Sequence, residues 1–189
     1  MTQPINTLMN EHRLIEKVLS SLDRYTADVA AGTAGDRPTI ARYAEFFREF
    51  ADRCHHGKEE NILFKALARN GMPTGSGPIA VMLHEHNIGR ALVTQLASMG
   101  QGSAPLTGEE RKKVRQTASN FVSLLGAHIR KEDAILFRIA EQQLPRHAMD
   151  DVAARFDAFE QREMGEGVHE RLHSLAESLI GSEAHAAGR

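Results

Sequence analysis

Six ionisable residues interrupt the apolar stripes of this 189-residue chain: His12, His55, Glu59, His86, His128 and Glu132. At about 100° of rotation per residue, positions four apart share a helix face, so the centre of an apolar stripe sorts polar neighbours into inward and outward. His12 falls among Ile5, Leu8, Met9, Ile15 and Leu19. His86 falls among Ile79, Met82, Leu83 and Val93, with His84 turned to nearly the opposite face. Ala44, Ala51, Ile62 and Ala66 flank His55 and Glu59, while Phe121, Leu125, Ile135, Leu136 and Ile139 surround His128 and Glu132. The same geometry sets His56 and Glu60 toward the margin of their stripe and Asp133 at the edge of its own. An unpaired buried charge costs several kcal/mol, and four neutral imidazoles with two carboxylates bring more acceptors than donors into a dry core. A divalent or trivalent metal resolves that imbalance. The spacing His-x-x-x-Glu lets both side chains reach one side of a shared centre. Each glutamate can then bridge two ions while histidines fill the outer positions.

Positioning these groups takes long helices. Aromatic residues make up only 5% of the chain, β-branched alternation is absent, and apolar residues recur at three-and-four spacing, which predicts an all-α protein. Helix one is expected from about Ile5 to Ala31. Helix two runs from near Pro38, a favoured first-turn position, to Asn70-Gly71. Helix three runs from near Pro78 to the breaker Gly-Gln-Gly-Ser-Ala-Pro, and helix four from Thr107, where Thr107 and Glu110 form a capping box, to just before Pro145. Short connections between four long helices favour an up-down-up-down four-helix bundle over residues 1–144. One or two further helices, roughly 146–164 and 168–180 and separated by Gly-Glu-Gly, make a C-terminal extension (145–189) packed on the bundle. An internal repeat organises the whole. His-His-Gly-Lys-Glu-Glu-Asn-Ile-Leu-Phe from His55 aligns with His-Ile-Arg-Lys-Glu-Asp-Ala-Ile-Leu-Phe, 73 residues later, and Glu11-His12 recurs as Glu85-His86 after 74. The chain reads as two helical hairpins with the same polar insertions.

A lone histidine followed by His-x-x-x-Glu, twice over in a four-helix bundle, resembles the hemerythrin-like, HHE cation-binding family across about residues 5–140. Both doublets continue into Ile-Leu-Phe and both lone histidines follow a glutamate, which makes the resemblance fairly specific. It implies a non-haem di-iron centre of two oxo- or hydroxo-bridged irons, with zinc or manganese as alternatives. The matched ligand positions are His12, His55, Glu59, His86, His128 and Glu132, with Glu59 and Glu132 as the bridging carboxylates. Oxygen-carrying members place two histidines one turn apart on the third helix. Here Met82 stands one turn before His86, leaving four bundle histidines rather than five. His169 on the last helix is the candidate for the missing ligand, and His56 and Glu60 are held as further candidates.

His169 and His173 sit on the shoulder of a Leu172/Ala176/Leu179 stripe, and His169-Glu170-Arg171-Leu172-His173 matches the zinc-protease pattern HExxH. That match alone brings no third ligand and no substrate cleft. Cys54 is expected as a small core residue beside His55, and Lys58 and Lys131 at stripe edges with their amines in solvent.

Composition narrows the function classes. Charged residues at 25%, hydrophobic residues at 41% and a net charge of −2 give no nucleic-acid or membrane surface. No apolar run reaches transmembrane length, the amino end lacks a signal-peptide pattern, and a lone cysteine suits a reducing compartment, so a cytoplasmic protein is expected. Iron held by histidines and carboxylates suits dioxygen, nitric oxide or peroxide. The expectation is a protein that binds or senses such a small ligand or handles iron, as a monomer or homodimer, rather than an enzyme. The alternative is a di-iron enzyme that reduces oxygen, peroxide or nitric oxide, or assists iron-sulfur repair.

Overall fold

The computed structural model describes residues 1–165 and 167–181. Glu166, inside the expected Gly-Glu-Gly separator, and residues 182–189, at the end of the expected extension, lie outside the described residues. Six helices and no strand occur among them: α1 (Gln3–Ala31), α2 (37–69), α3 (Gly77–Met99), α4 (108–143), α5 (146–164) and α6 (Val168–Gly181).

Local chemistry sets the ends. The Asp36 carboxylate accepts from the Thr39 N–H at 2.7 Å to open α2, and Thr107 with Glu110 forms a reciprocal capping box that opens α4. α1 closes on Gly32 at φ 82°, a left-handed conformation that glycine adopts without a Cβ penalty. No described helix is long and apolar enough to cross a membrane.

Two of the long helices widen where the polar residues cluster. α2 is π-helical over Phe47–His56 and Glu59–Leu63, and α4 over Glu132–Leu136. The Phe64 N–H donates to the Glu59 carbonyl and the Phe137 N–H to the Glu132 carbonyl, five residues back in each case. Each residue of a π turn advances the helix face by less than the α-helical value of about 100°. The stripe on α4 consequently shifts. Ile135, expected inward, is 52% exposed, while Leu136 and Phe137 fill the core.

α1 packs on α4, α4 on α3, α3 on α2 and α2 on α1, which makes a helical bundle; α6 lies across α1 and α2, and α5 lies on α1 and the second π segment of α2. The apolar core has two parts. One gathers Leu22, Phe46, Phe47 and Phe50 with Leu172, Ala176 and Leu179 of α6, and the other gathers Leu8, Leu63 and Phe137 with Met149, Val152 and Phe156 of α5. Along each bundle helix the buried histidines and glutamates fall between these two parts. This polar layer forgoes the roughly 1.5–3 kcal/mol that each large apolar side chain would contribute there.

Candidate metal centre

The polar layer resolves into two groups that share one residue. Ligand atoms of His12, His55, Glu59 and Glu132 lie within 4.8 Å of one another, as do those of His56, Glu59, His86 and His128. Both carboxylates reach across. Glu132 Oε2 is 3.3 Å from His12 Nε2 and 3.1 Å from His128 Nε2. Glu59 Oε1 is 3.6 Å from His55 Nε2, and its Oε2 is 3.5 Å from His86 Nε2.

Every one of the five histidines turns its other ring nitrogen to a carboxylate. Nδ1 of His12 meets Asp133 at 2.7 Å, that of His55 meets Glu11 at 2.8 Å, and that of His56 meets Asp52 at 3.3 Å. Nδ1 of His86 meets Glu60 at 2.7 Å and that of His128 meets Glu85 at 2.9 Å. An Nδ1–H donating outward fixes the tautomer in which the Nε2 lone pair points inward, the arrangement that orients a metal-binding imidazole and raises its basicity. His86 Nε2 and His128 Nε2 then face each other at 3.1 Å, two lone pairs in need of a shared cation.

Unpaired atoms mark the same place. His12 Nε2, His55 Nε2 and both carboxylate oxygens of Glu59 and of Glu132 are buried without a hydrogen-bond partner, each a cost of about 1–3 kcal/mol if left so. Burial, with the charge of Glu132, holds the Glu59 carboxyl well above its ordinary range. Burial pushes Glu132 the same way, but His128 and His12 outweigh it and hold Glu132 well below. For His12, burial opposes the charge and the Asp133 and Glu132 carboxylates overcome it, raising it to about 9. Burial, reinforced by neighbouring imidazoles, drives His55 and His56 well below the usual histidine value. Five convergent imidazoles, two facing carboxylates and orphaned acceptors fit bound metal.

Six expected residues, His12, His55, Glu59, His86, His128 and Glu132, come together in this layer. His56 differs from expectation: it is 6% exposed, and its ring stacks on His86 at 3.8 Å between centroids. The π turns are the reason, since a slower rotation lets His55, His56 and Glu59 all face inward. Glu60 stays at the margin, where it supports His86 and pairs with Arg90. His169 is not brought to either group. α6 packs against the core part around Phe50, and the His169 ring lies 4.5 Å from His173 and 6.2 Å from Phe50. Lys58 also departs from expectation. It is fully buried, and its ammonium bonds Glu11 and Glu160; burial works against the charge, yet those carboxylates hold the amine above its ordinary range. Cys54 is buried beside it, which pushes the thiol up to about 12.

Sequence reading missed the outward carboxylates Glu11, Glu85, Asp52 and Asp133 as histidine partners. A signal was there: Glu11 and Glu85 immediately precede the lone histidines in both copies of the repeat. The partnerships cross over in a way that no single-helix pattern reveals, because His12 takes its acid from the second doublet and His86 from the first.

The two groups differ in access. A cavity of about 350 Å³ opens beside His56, His86 and His128, walled by Phe47, Ala51, Gly89, Val93, Phe121 and Leu125. The His12 and His55 side is closed by Phe137, stacked on His12 at 5.4 Å, and by the Glu11–Lys58–Glu160 chain.

Residues 3–140 match the family described as the hemerythrin HHE cation binding domain. Similar proteins include uncharacterized proteins of Mycobacterium bovis and Mycobacterium tuberculosis, each 23% identical over 159 residues, which is 84% of this chain and 62% of the relative. The chain thus spans about three-fifths of the length of the curated relatives it matches. No solved structure matches it.

Proposed function

The chain belongs to the hemerythrin HHE cation-binding family, and from that premise we propose that it is a non-haem di-iron protein that binds or senses a small ligand, dioxygen or nitric oxide. In this reading His12 and His55 would hold one iron, and His56, His86 and His128 would hold the other. Glu59 and Glu132 are placed to reach both groups. His56 supplies the fifth histidine that the third helix lacks.

The observation that carries the proposal is the apolar cavity beside His56, His86 and His128. Iron, when bound, supplies the redox couple that attracts a diatomic ligand. The chain does the rest. Glu60 and Glu85 fix the rings of His86 and His128, and Phe47, Phe121 and Leu125 keep water and its protons away from the approach. A single buried cysteine is in keeping with a reducing, cytoplasmic setting.

Metal analysis of anaerobically purified protein, followed by stopped-flow mixing with oxygen, tests this reading. Two irons per chain and a visible band that forms with oxygen and reverses on its removal are expected. One zinc per chain with a silent spectrum would overturn the di-iron reading. Rapid irreversible oxidation with turnover would move the protein to the enzymes that reduce oxygen, peroxide or nitric oxide.

A further inference from the structure

The cavity beside His56, His86 and His128 is far larger than a diatomic ligand needs. Its volume of about 350 Å³ is more than twice the ~150 Å³ that accepts a benzene ring and roughly ten times the ~30 Å³ share of a water molecule, which a diatomic resembles in size. It also falls within the ~300–1,000 Å³ range of pockets for organic ligands.

The internal repeat shows that this room comes from a particular residue. Gly89 stands where the first hairpin has Ile15, 74 residues earlier. Ile15 is 1% exposed and fills its side of the bundle. At Gly89 a Cβ would meet only Phe121 Cε2, at 3.8 Å, so the neighbours have not closed over the missing side chain.

The charges around the cavity are already matched. Arg48 pairs with Glu49 at 2.9 Å, and Arg90 pairs with Asp52 at 2.8 Å and Glu60 at 2.7 Å. Glu85 is held by His128 and Lys131. A charged ligand would have to break one of these pairs or lie unpaired against apolar walls, which is costly.

We propose that this cavity binds a neutral, mostly apolar organic molecule the size of one or two fused rings or a medium-length aliphatic alcohol. Binding rests on the cavity walls and not on the identity of the metal beneath them. The inference therefore stands apart from the di-iron reading.

Fluorescence titration with uncharged N-phenyl-1-naphthylamine, on the protein as purified and after metal removal, tests the proposal. Saturable binding of one probe per chain is expected in both forms. Gly89→Ile, which restores the residue of the other hairpin, should weaken it at least tenfold with metal content and helical circular dichroism unchanged, and Ala97→Leu, at the outer wall, should weaken it as well. Decanol should displace the probe at lower concentration than decanoate. Absence of saturable binding, or full affinity in both variants, would overturn the site. Preferential displacement by decanoate would overturn the neutral class. Probe binding without iron in the purified protein would remove the di-iron reading and leave this one intact.

Discussion

In the first hairpin Glu11 holds both His55 and Lys58; in the second Glu85 holds both His128 and Lys131. The two sets occupy matching positions of the repeat, yet the Lys58 side chain is fully buried and that of Lys131 is 37% exposed. Residues outside the repeat make the difference. Glu160 gives Lys58 a second carboxylate, Phe156 lies 5.8 Å from the Lys58 amine, and Phe159 packs against Gly57, where the second copy has Arg130. On the other side, Gly89 opens a cavity where the repeat elsewhere carries Ile15. A repeated set of candidate ligands can therefore give two unlike groups, one sealed and one open, when its surroundings are not repeated.

The comparison can be broken at several points. The largest effect is expected at the shared carboxylate: Glu59→Gln should reduce bound metal from two equivalents to one or none, whereas Glu60→Gln should keep both with affinity lowered about 10–100-fold. Equal losses, read by metal analysis, would mean that Glu59 has no special place. Next, Lys58→Met leaves Glu11 and Glu160 without their cation in a buried setting and should cost ~3–5 kcal/mol in urea unfolding. Lys131→Met, half in solvent, should cost less than ~1 kcal/mol. Similar costs would erase the distinction between sealed and open halves.

A third expectation concerns protons. In the metal-free protein His12 is raised to about 9 and so carries a proton at neutral pH, and Glu59 holds its proton to higher pH than an ordinary carboxyl. Metal uptake must displace such protons, and apparent affinity should rise with pH and fall on acidification. Calorimetry in buffers of different ionisation enthalpy reads the release directly, and uptake without it would contradict the assigned ligands. The smallest effect is expected at Gly57. A Cβ there would lie 2.7 Å from Phe159 Cζ. Gly57→Ala should destabilise by ~1 kcal/mol despite alanine's better helix propensity, while Arg130→Ala should stay within ~0.5 kcal/mol.

Much of this was legible in the chain. Pro38, Thr107 with Glu110, Gly71 and Pro145 punctuate helices whose observed ends, at residues 37, 69, 108 and 143, lie close to those expected. The inward faces of α1 and α3, which are α-helical throughout, follow the about 100° wheel. Errors collect where the wheel changes pitch. His56 turns inward and Ile135 outward in or beside π turns, whose onset has no simple residue signature. Lys58 was misplaced for another reason. Its burial depends on Glu160, about a hundred residues away, and no local pattern carries that information.

The family match ends at residue 140, while Lys58 draws its second counter-ion from residue 160. The family match thus covers a shorter stretch than the one whose side chains pack together. A chain trimmed to the family boundary would uncover the face of α2 that α5 protects and strip Lys58 of that counter-ion, loosening the grip of Glu11 on His55. The family match marks where the candidate ligands lie, and the packing around Lys58 marks how much more polypeptide holds them in place.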